Sequence, residues 1–508
     1  MTDCNITIEQ KTFSATLGAR LSDVFVAYAP NLSHLPDMPC AGMGRCGKCR
    51  IIAQGALSPL SQAELCHLTQ EEVAAGWRLA CCCTVLGDCT ITLPKTEKSQ
   101  IQGAGIMPDF DPDPVFGEYG IAVDIGTTTL AAQLYGKDGL LAQAAAPNPQ
   151  ASYGADVISR IEQAMSDSGK AEALADCIRR GVSALIQELC VKPNIPTEAV
   201  DALVITGNTA MLYLLTRHDP TCLAAAPFAA DRLFGENIPA ATLQLPCPKA
   251  MVYLPPCISA FVGGDITTAL LASDLCSHPD TALLADIGTN GEIALWHQNQ
   301  LLCCSTAAGP AFEGAGLSMG MGGKTGAIDH VKIDPQTGTL QAHILGDTAP
   351  RGICGSGVID ALACLLQTEQ MDSTGFLKDG STVISDPVVL TQQDVRMVQL
   401  AKSAIYAGIS TLVQQAGLTH HQIQTFYIAG GFGSYLDITN AAFIGLFPPQ
   451  LQQAATVLGN ASLCGAAMLL LQKDAAKQAH HIARHAKTID LSTSSIFMDA
   501  YTNGMFFE

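Results

Sequence analysis

Two stretches of the chain echo each other, AVDIGTTT at 122–129 and LADIGTNG at 284–291. In each, an apolar strand runs into Asp-Ile-Gly-Thr and a second strand leaves it. The carboxylate can hold Mg²⁺ directly or through water, and the glycine permits a tight turn. The Thr hydroxyls and neighbouring backbone N–H groups can grip phosphate oxygens. A single copy is no more than a hairpin with ordinary turn residues. Two copies facing one cleft predict two halves, each presenting a phosphate-gripping loop to the other.

Around these copies apolar strands alternate with longer helical stretches, in YGIAVDIGTTTLAAQLY, DALVITGNTAMLYLLT, TALLADIGTNGEIALW and TFYIAGGFGSYLD. That is an α/β pattern. At 508 residues the chain exceeds one ordinary core, so several domains are expected. Its 27 Lys and Arg against 46 Asp and Glu leave a net charge of −19. This argues against nucleic acid and against an anionic membrane surface, both of which need a positive face. The opening MTDCNITIEQ has neither the charged start nor the apolar run of a signal peptide, and the apolar stretch at CGAAMLLL is too short to span a bilayer. The expectation is a cytoplasmic protein.

In a reducing compartment the 20 cysteines are not expected to form disulfides, and scattered ones such as Cys177, Cys190 and Cys364 read as buried core thiols. The clustered ones differ. Cys40, Cys46 and Cys49 follow a C-x5-C-x2-C spacing in CAGMGRCGKC, and RLACCCTV at 78–85 offers Cys81, Cys82 and Cys83. Structural zinc usually takes its cysteines as two short pairs, whereas here three come from one loop and a fourth from far along the chain. That is the ferredoxin arrangement of a [2Fe–2S] centre, with one residue more in the first gap than the plant-type C-x4-C-x2-C; the longer gap resembles the adrenodoxin-like branch. Gly42, Gly44 and Gly47 would take positive φ and turn amide N–H groups toward the sulfurs. Adjacent side chains cannot all enter one centre, and Arg-Leu-Ala-Cys resembles the ferredoxin ending, which selects Cys81. Cys66 and Cys89 read as bystanders. The flanks suit a small β-grasp domain: a hairpin over NITIEQKTFSA, a helix over RLSDVFVAYA and a closing strand at CTITLP.

Residues 94–116 mix Pro, Gly, Asp and Lys without periodicity and read as a linker. Three other glycine-rich pieces stand out. In GGDITTALL at 263–271, Asp265 is either a metal- or water-positioning carboxylate or an N-cap. Residues 307–323, AAGPAFEGAGLSMGMGG, have too many glycines for a helix and can line a cleft or a partner surface; Met319 and Met321 there read as packing residues. Gly355, Ser356 and Gly357 can open a helix toward a phosphate.

Together with IAGGFGSYLD at 428–437 and GNASLCGAAMLLL at 459–471, the paired motifs resemble the superfamily of acetate and sugar kinases, heat-shock chaperones and actin. The resemblance implies a two-lobed, ribonuclease H-like ATPase body. Its first phosphate motif would be Asp124, Gly126, Thr127, Thr128 and Thr129, and its second Asp286, Gly288, Thr289 and Asn290. Gly430, Gly431 and Gly433 would pack on adenosine, and a small-residue helix would cross between the lobes. Asp124 and Asp286 would be the catalytic and Mg²⁺-holding carboxylates.

A ferredoxin domain fused to such a body resembles the reductive activators of corrinoid-dependent methyltransferase proteins, on GIAVDIGTTTLAA, TGNTAM, DIGTNGEIAL, AAGPAFEG and GICGSGVIDA. The implied layout is a [2Fe–2S] domain at 1–93, a linker at 94–116, a first body subdomain at 117–205 and a C-terminal domain at 206–508. The implied activity is ATP-dependent transfer of one electron from a [2Fe–2S] cluster held by Cys40, Cys46, Cys49 and Cys81 to a Co(II) corrinoid, restoring Co(I). A corrinoid protein, a low-potential electron donor and a second copy of the chain are the implied partners. The alternatives are an activase or small-molecule kinase of the same ATPase class with an accessory ferredoxin domain, and a module that only senses ATP.

Overall fold

A computed structural model describes residues 3–28, 32, 36, 38, 42, 44, 47–94, 105–431 and 435–507. The chain divides into two compact units, Met1–Lys98 with Asn148–Ile178, and Ser99–Pro147 with Arg179–Glu508.

In the first unit, five strands run in the order Lys11–Thr16, Asp3–Ile8, Val85–Thr92, Arg50–Leu57, Trp77–Leu79. The opening hairpin pairs Ile6 with Phe13, and Asp3–Ile8 then lies parallel to Val85–Thr92 with Ile6 opposite Cys89. A hairpin whose first strand pairs in parallel with the closing strand, followed by helix Leu21–Tyr28, is the β-grasp arrangement expected from the alternation. The period of two sorts Cys4, Ile6 and Ile8 inward with Phe25, Ile51, Leu79 and Ile91.

The second unit holds two six-stranded sheets that repeat one plan. In the first lobe the order is Glu236–Pro239, Met251–Leu254, Val200–Gly207, Tyr119–Ile125, Thr129–Gly136, Gly139–Pro147. In the second it is Ala455–Gly459, Thr425–Ala429, Ala282–Ile287, Gly291–His297, Gln300–Thr306, Ala486–Thr488. Each Asp-Ile-Gly-Thr strand is central. It is antiparallel to the strand after its turn, through Asp124 opposite Ala131 and Asp286 opposite Glu292. It is parallel to a later strand, through Asp124 opposite Thr206 and Asp286 opposite Ala429. Both strands are buried over nearly their whole length, as central strands covered on two faces must be. Both aspartates stand one residue from the C-terminal end of their strands.

After the outer parallel strand of each lobe comes a helix buried on nearly every side, Gly264–Ala272 in the first and Ala461–Leu471 in the second. The two pack on each other and join the lobes through one core that takes Ala122 and Val204 from one sheet and Leu284 and Ala429 from the other. At the crossing a Cβ on Gly465 would lie 1.9 Å from the carbonyl oxygen of Thr268, and Thr268 Oγ1 is 3.2 Å from Ser462 Oγ. Residues 105–116 run along this second helix, with Asp113 N donating to Leu471 O at 2.8 Å and Val115 N to Leu470 O at 2.9 Å. The C-terminal part of the stretch read as linker is thus fixed to the body, because its backbone satisfies the last carbonyls of that helix.

Any side chain at residue 465 forces the two backbones apart. We expect Gly465→Ala to lower stability by about 1–3 kcal/mol through overpacking; an unfolding midpoint in urea equal to that of the unaltered protein would contradict the crossing.

Candidate functional site

In the first unit, the turn after strand Trp77–Leu79 carries Cys81, Cys82 and Cys83. It is closed by Cys82 N donating to Leu79 O at 2.9 Å and Cys83 N at 3.0 Å, with the sulfurs of Cys81 and Cys82 close together and Cys83 turned into the core. Cys81 is buried with its sulfur 3.2 Å from that of Cys49, which is also buried. Cys82 is half-buried, its sulfur 3.6 Å from that of Cys81. Cys83 faces the core, where burial pushes its thiol up to about 11, and burial does the same for Cys89. Gly42, Gly44 and Gly47 all have positive φ, and a Cβ on Gly42 would stand 3.7 Å from Cys81 Cβ, so Gly42 lies against that residue. Cys40 and Cys46 lie outside the described residues.

The turn is held by a buried ion pair. Arg78 Nε donates to Glu64 Oε1 at 2.7 Å, and the backbone N–H of Leu79 donates to the same oxygen at 3.1 Å. Burial alone would raise the Glu64 pKa, but the Arg78 hydrogen bond and the Ser61 and Leu79 amides hold it below its ordinary value. Two thiol sulfurs side by side in a dry wall form a soft donor set, suited to iron–sulfur or zinc chemistry.

In the second unit, the two Asp-Ile-Gly-Thr turns meet. Each is closed by its glycine: Gly126 N donates to Thr129 O and Gly288 N to Asn290 O, both at 3.0 Å. These N–H groups therefore serve the turns. Thr127 is buried and its hydroxyl accepts from Asn208 Nδ2 at 3.2 Å, which ties the first turn to the N-cap of helix Thr209–Thr216. Thr129 is exposed at the start of its strand. Thr128 and Thr289 converge, their hydroxyl oxygens 3.3 Å apart, and both donate to Glu313 Oε2, at 2.7 and 2.6 Å. Asn290 hydrogen-bonds Glu292.

Asp124 reaches across to the other lobe. Asn460 Nδ2 donates to its Oδ2 at 2.9 Å and Ser462 Oγ to its Oδ1 at 3.3 Å, at the start of helix Ala461–Leu471, which Asn460 itself caps. Gly430, at φ 102°, lies against the second turn, where a Cβ would sit 2.4 Å from Ile287 O and 2.9 Å from Asp286 Oδ1. Gly431 is exposed beside it, and Gly433 lies outside the described residues. Asp265 is not the N-cap. Gly263 takes that place, and Asp265 stands in the first turn of helix Gly264–Ala272. Gly355, Ser356 and Gly357 are buried; Ser356 Oγ donates to Asp329 O at 2.8 Å, and a Cβ on Gly357 would be 2.3 Å from Ile328 O. That helix start is packing. Met319 accepts from Val389 N at 3.4 Å and Met321 lies against Gly352, also as packing residues.

The carboxylates repel one another. Burial raises Asp124 to about 6 against the hydrogen bonds from Asn460 and Ser462. Burial, then Asp124 and Glu313, raise Asp286 to about 7. Asp265 is pushed up by burial and by both of these aspartates, and Glu292 by burial, Asp265 and Asp286. Among the described residues no three such side chains stand close enough to ligate one ion together. The crowding suits a Mg²⁺ held partly through water, which would relieve the repulsion. Asn208, Glu313, Asn460 and Ser462 are absent from the residues singled out by sequence. The Asn before an apolar helix marks 460 as a cap, but its partner in the other lobe leaves no local signal.

In the nucleotide-free protein these raised acids hold protons that the unfolded chain has lost. Their contribution to stability is complete below the unfolded value near about 4 and is lost as pH rises through about 6 and about 7. The melting temperature without Mg²⁺ should fall over that range, and less in Asp124→Asn; a flat or rising profile would show ordinary carboxylates.

Residues 119–278 match the family described as the RACo middle region, and residues 280–508 the C-terminal domain of RACo, the ASKHA domain. The chain is 35% identical over 420 residues to the corrinoid activation enzyme RamQ of Eubacterium limosum, covering 76% of this chain and 70% of that protein. It is 26% identical over 420 residues to the [Co(II) methylated amine-specific corrinoid protein] reductase of Methanosarcina barkeri, covering 75% and 76%. A solved reductive activator for corrinoid, iron–sulfur protein superposes with a TM-score of 0.75 at 27% identity, over 99% of this chain and 98% of the other. The body thus has the actin-like kinase fold, and no helix among the described residues is long and apolar enough to cross a membrane. The chain belongs to the RACo family, the reductive activators of corrinoid proteins.

Proposed function

We propose that this enzyme returns the Co(II) corrinoid of a partner corrinoid protein to Co(I), with one electron drawn through its N-terminal unit and with ATP used in the body. The observation that carries the reading is the conjunction, on one chain, of a buried Cys49–Cys81 sulfur pair and twin Asp-Ile-Gly-Thr turns whose hydroxyls converge on one point. The family relationship supports the corrinoid protein as partner.

In this reading Cys40, Cys46, Cys49 and Cys81 hold a [2Fe–2S] centre, which when bound supplies one electron at low potential, near about −400 mV for plant-type centres. Thr128 and Thr289 grip phosphate oxygens of ATP, while Asp124 and Asp286 hold Mg²⁺ directly or through water. Gly430, Gly431 and Gly433 pack on adenosine. Asp265, raised by burial and then by Asp124 and Asp286, orients the attacking water. Because Asn460 and Ser462 hold Asp124, the state of the cleft is felt at the helix that joins the lobes.

Co(II) in a corrinoid is expected to be harder to reduce than such a donor. A gap of about 100 mV is about 2 kcal/mol for one electron, a small part of what a specific interface supplies. Docking onto the partner would supply part of that gap, and ATP binding and hydrolysis switch the body between holding and releasing the partner.

The test follows Co(I) optically with chelated Ti(III) as electron source and a cobalamin-loaded corrinoid protein as substrate. MgATP should accelerate repeated turnover, and equal rates without it would remove the coupling. Asp286→Asn should lose hydrolysis and keep the visible spectrum of the N-terminal unit; loss of both would make Asp286 a structural residue.

A further inference from the structure

Glu313 has no part in the reading above, yet it sits at its centre. It ends the short turn Pro310–Glu313, between Gly309 at φ 77° and Gly314 at φ 75°. The loop is closed on itself, with Gly314 N donating to Ala311 O at 3.1 Å and Ala315 N to Pro310 O at 3.1 Å. A Cβ on Gly314 would stand 2.2 Å from Met321 O. It is also tied to the second phosphate turn, because Gly309 N donates to Thr289 O at 2.8 Å. The glutamate is therefore delivered to the turns by a folded loop and does not merely drape over them.

Its Oε2 accepts from Thr128 of one lobe and Thr289 of the other, at 2.7 and 2.6 Å. A Cβ on Gly288 would meet Oε1 at 3.7 Å. One anionic oxygen thus receives two converging hydroxyls, one from each Asp-Ile-Gly-Thr turn. A phosphoryl oxygen of a nucleotide would ask the same of the same two groups, since carboxylate and phosphate are alike anionic acceptors of charge-assisted hydrogen bonds.

We propose that Glu313 is an internal stand-in for phosphate: in the nucleotide-free protein its carboxylate fills the seat formed by Thr128 and Thr289, and the phosphates of ATP or ADP bind by displacing it. The inference rests on the nucleotide reading of the cleft and adds a determinant of affinity to it. The lobes stay bridged when no nucleotide is present. Each departure of product lets the carboxylate return, which disfavours retention of ADP. Asp286 opposes the glutamate's charge from nearby, so the contact is one that an incoming Mg²⁺–phosphate can break.

The experiment is calorimetric titration of the full chain and of Glu313→Gln with MgADP, with a non-hydrolysable MgATP analogue, and with adenosine. Glutamine keeps the shape and removes the charge, so the competitor is weakened. Loss of the charge assistance on the two hydrogen bonds to the seat should tighten both nucleotides by about tenfold and leave adenosine unchanged. Glu313→Asp, with its carboxylate withdrawn, should shift affinity in the same direction by less, and serves if the glutamine variant does not fold. Nucleotide affinity unchanged or weakened in the variants, with adenosine still bound, overturns the stand-in and leaves the cleft a nucleotide site. Binding of no nucleotide and no adenosine by the unaltered protein brings down the nucleotide reading and this inference together.

Discussion

The body depends on one close crossing, where helix Ala461–Leu471 lays Gly465 on the backbone of Thr268 in helix Gly264–Ala272. Each helix follows the outer parallel strand of its own lobe, so their contact is what sets one sheet against the other. Because both are predominantly apolar with little amphipathic pattern, they are stable only when enclosed, and the shared core encloses them. The start of each helix carries a cleft group: Asp265 in the first turn of one, Asn460 and Ser462 at the N-terminus of the other. The same crossing that makes the core therefore places chemistry from both lobes around Asp124.

That placement has an electrostatic consequence. Asp124, Asp265, Asp286 and Glu292 are brought together from separate strands and a helix, and Asp124, Asp265 and Asp286 each raise the pKa of at least one other of the four. An acid cluster of this kind is unfavourable for folding when it is ionised and empty, and favourable when a cation and a phosphate arrive. Stability is traded for a site that responds strongly to its ligand. The first unit handles buried charge differently. Its Arg78–Glu64 pair is satisfied internally, with Glu64 also capping its own helix through Ser61, and the pair supports the turn that offers Cys81.

The sequence was most legible where a short pattern has one physical meaning. The echo of Asp-Ile-Gly-Thr foretold two equivalent sheets, because a strand apolar along its length must be central and its C-terminal turn must open onto the cleft. Alternation in NITIEQKTFSA and CTITLP foretold the opening hairpin and the closing strand of the small sheet, which the structure extends back to Val85. Composition was less telling at 94–116, where the Pro and Gly that read as a linker gave no sign that Asp113 and Val115 bond to helix carbonyls. At Asp265 it left two readings open, and the structure removes the cap, because Gly263 takes that place and Asp265 stands inside the first turn.

By itself, then, the sequence determined the strands, the turns and the kinds of donor the chain carries: soft sulfur near its beginning, paired Asp and Thr further on. Periodicity and turn chemistry are local, and local rules suffice to read them. Only the tertiary structure decided which groups meet. Thr128 rather than Thr127 faces Thr289, Glu313 sits on both, and Asn460 crosses to Asp124 over an interval of 336 residues. Contacts at such separation arise from helix packing and sheet register, and neither leaves a signal within reach of a short window of sequence.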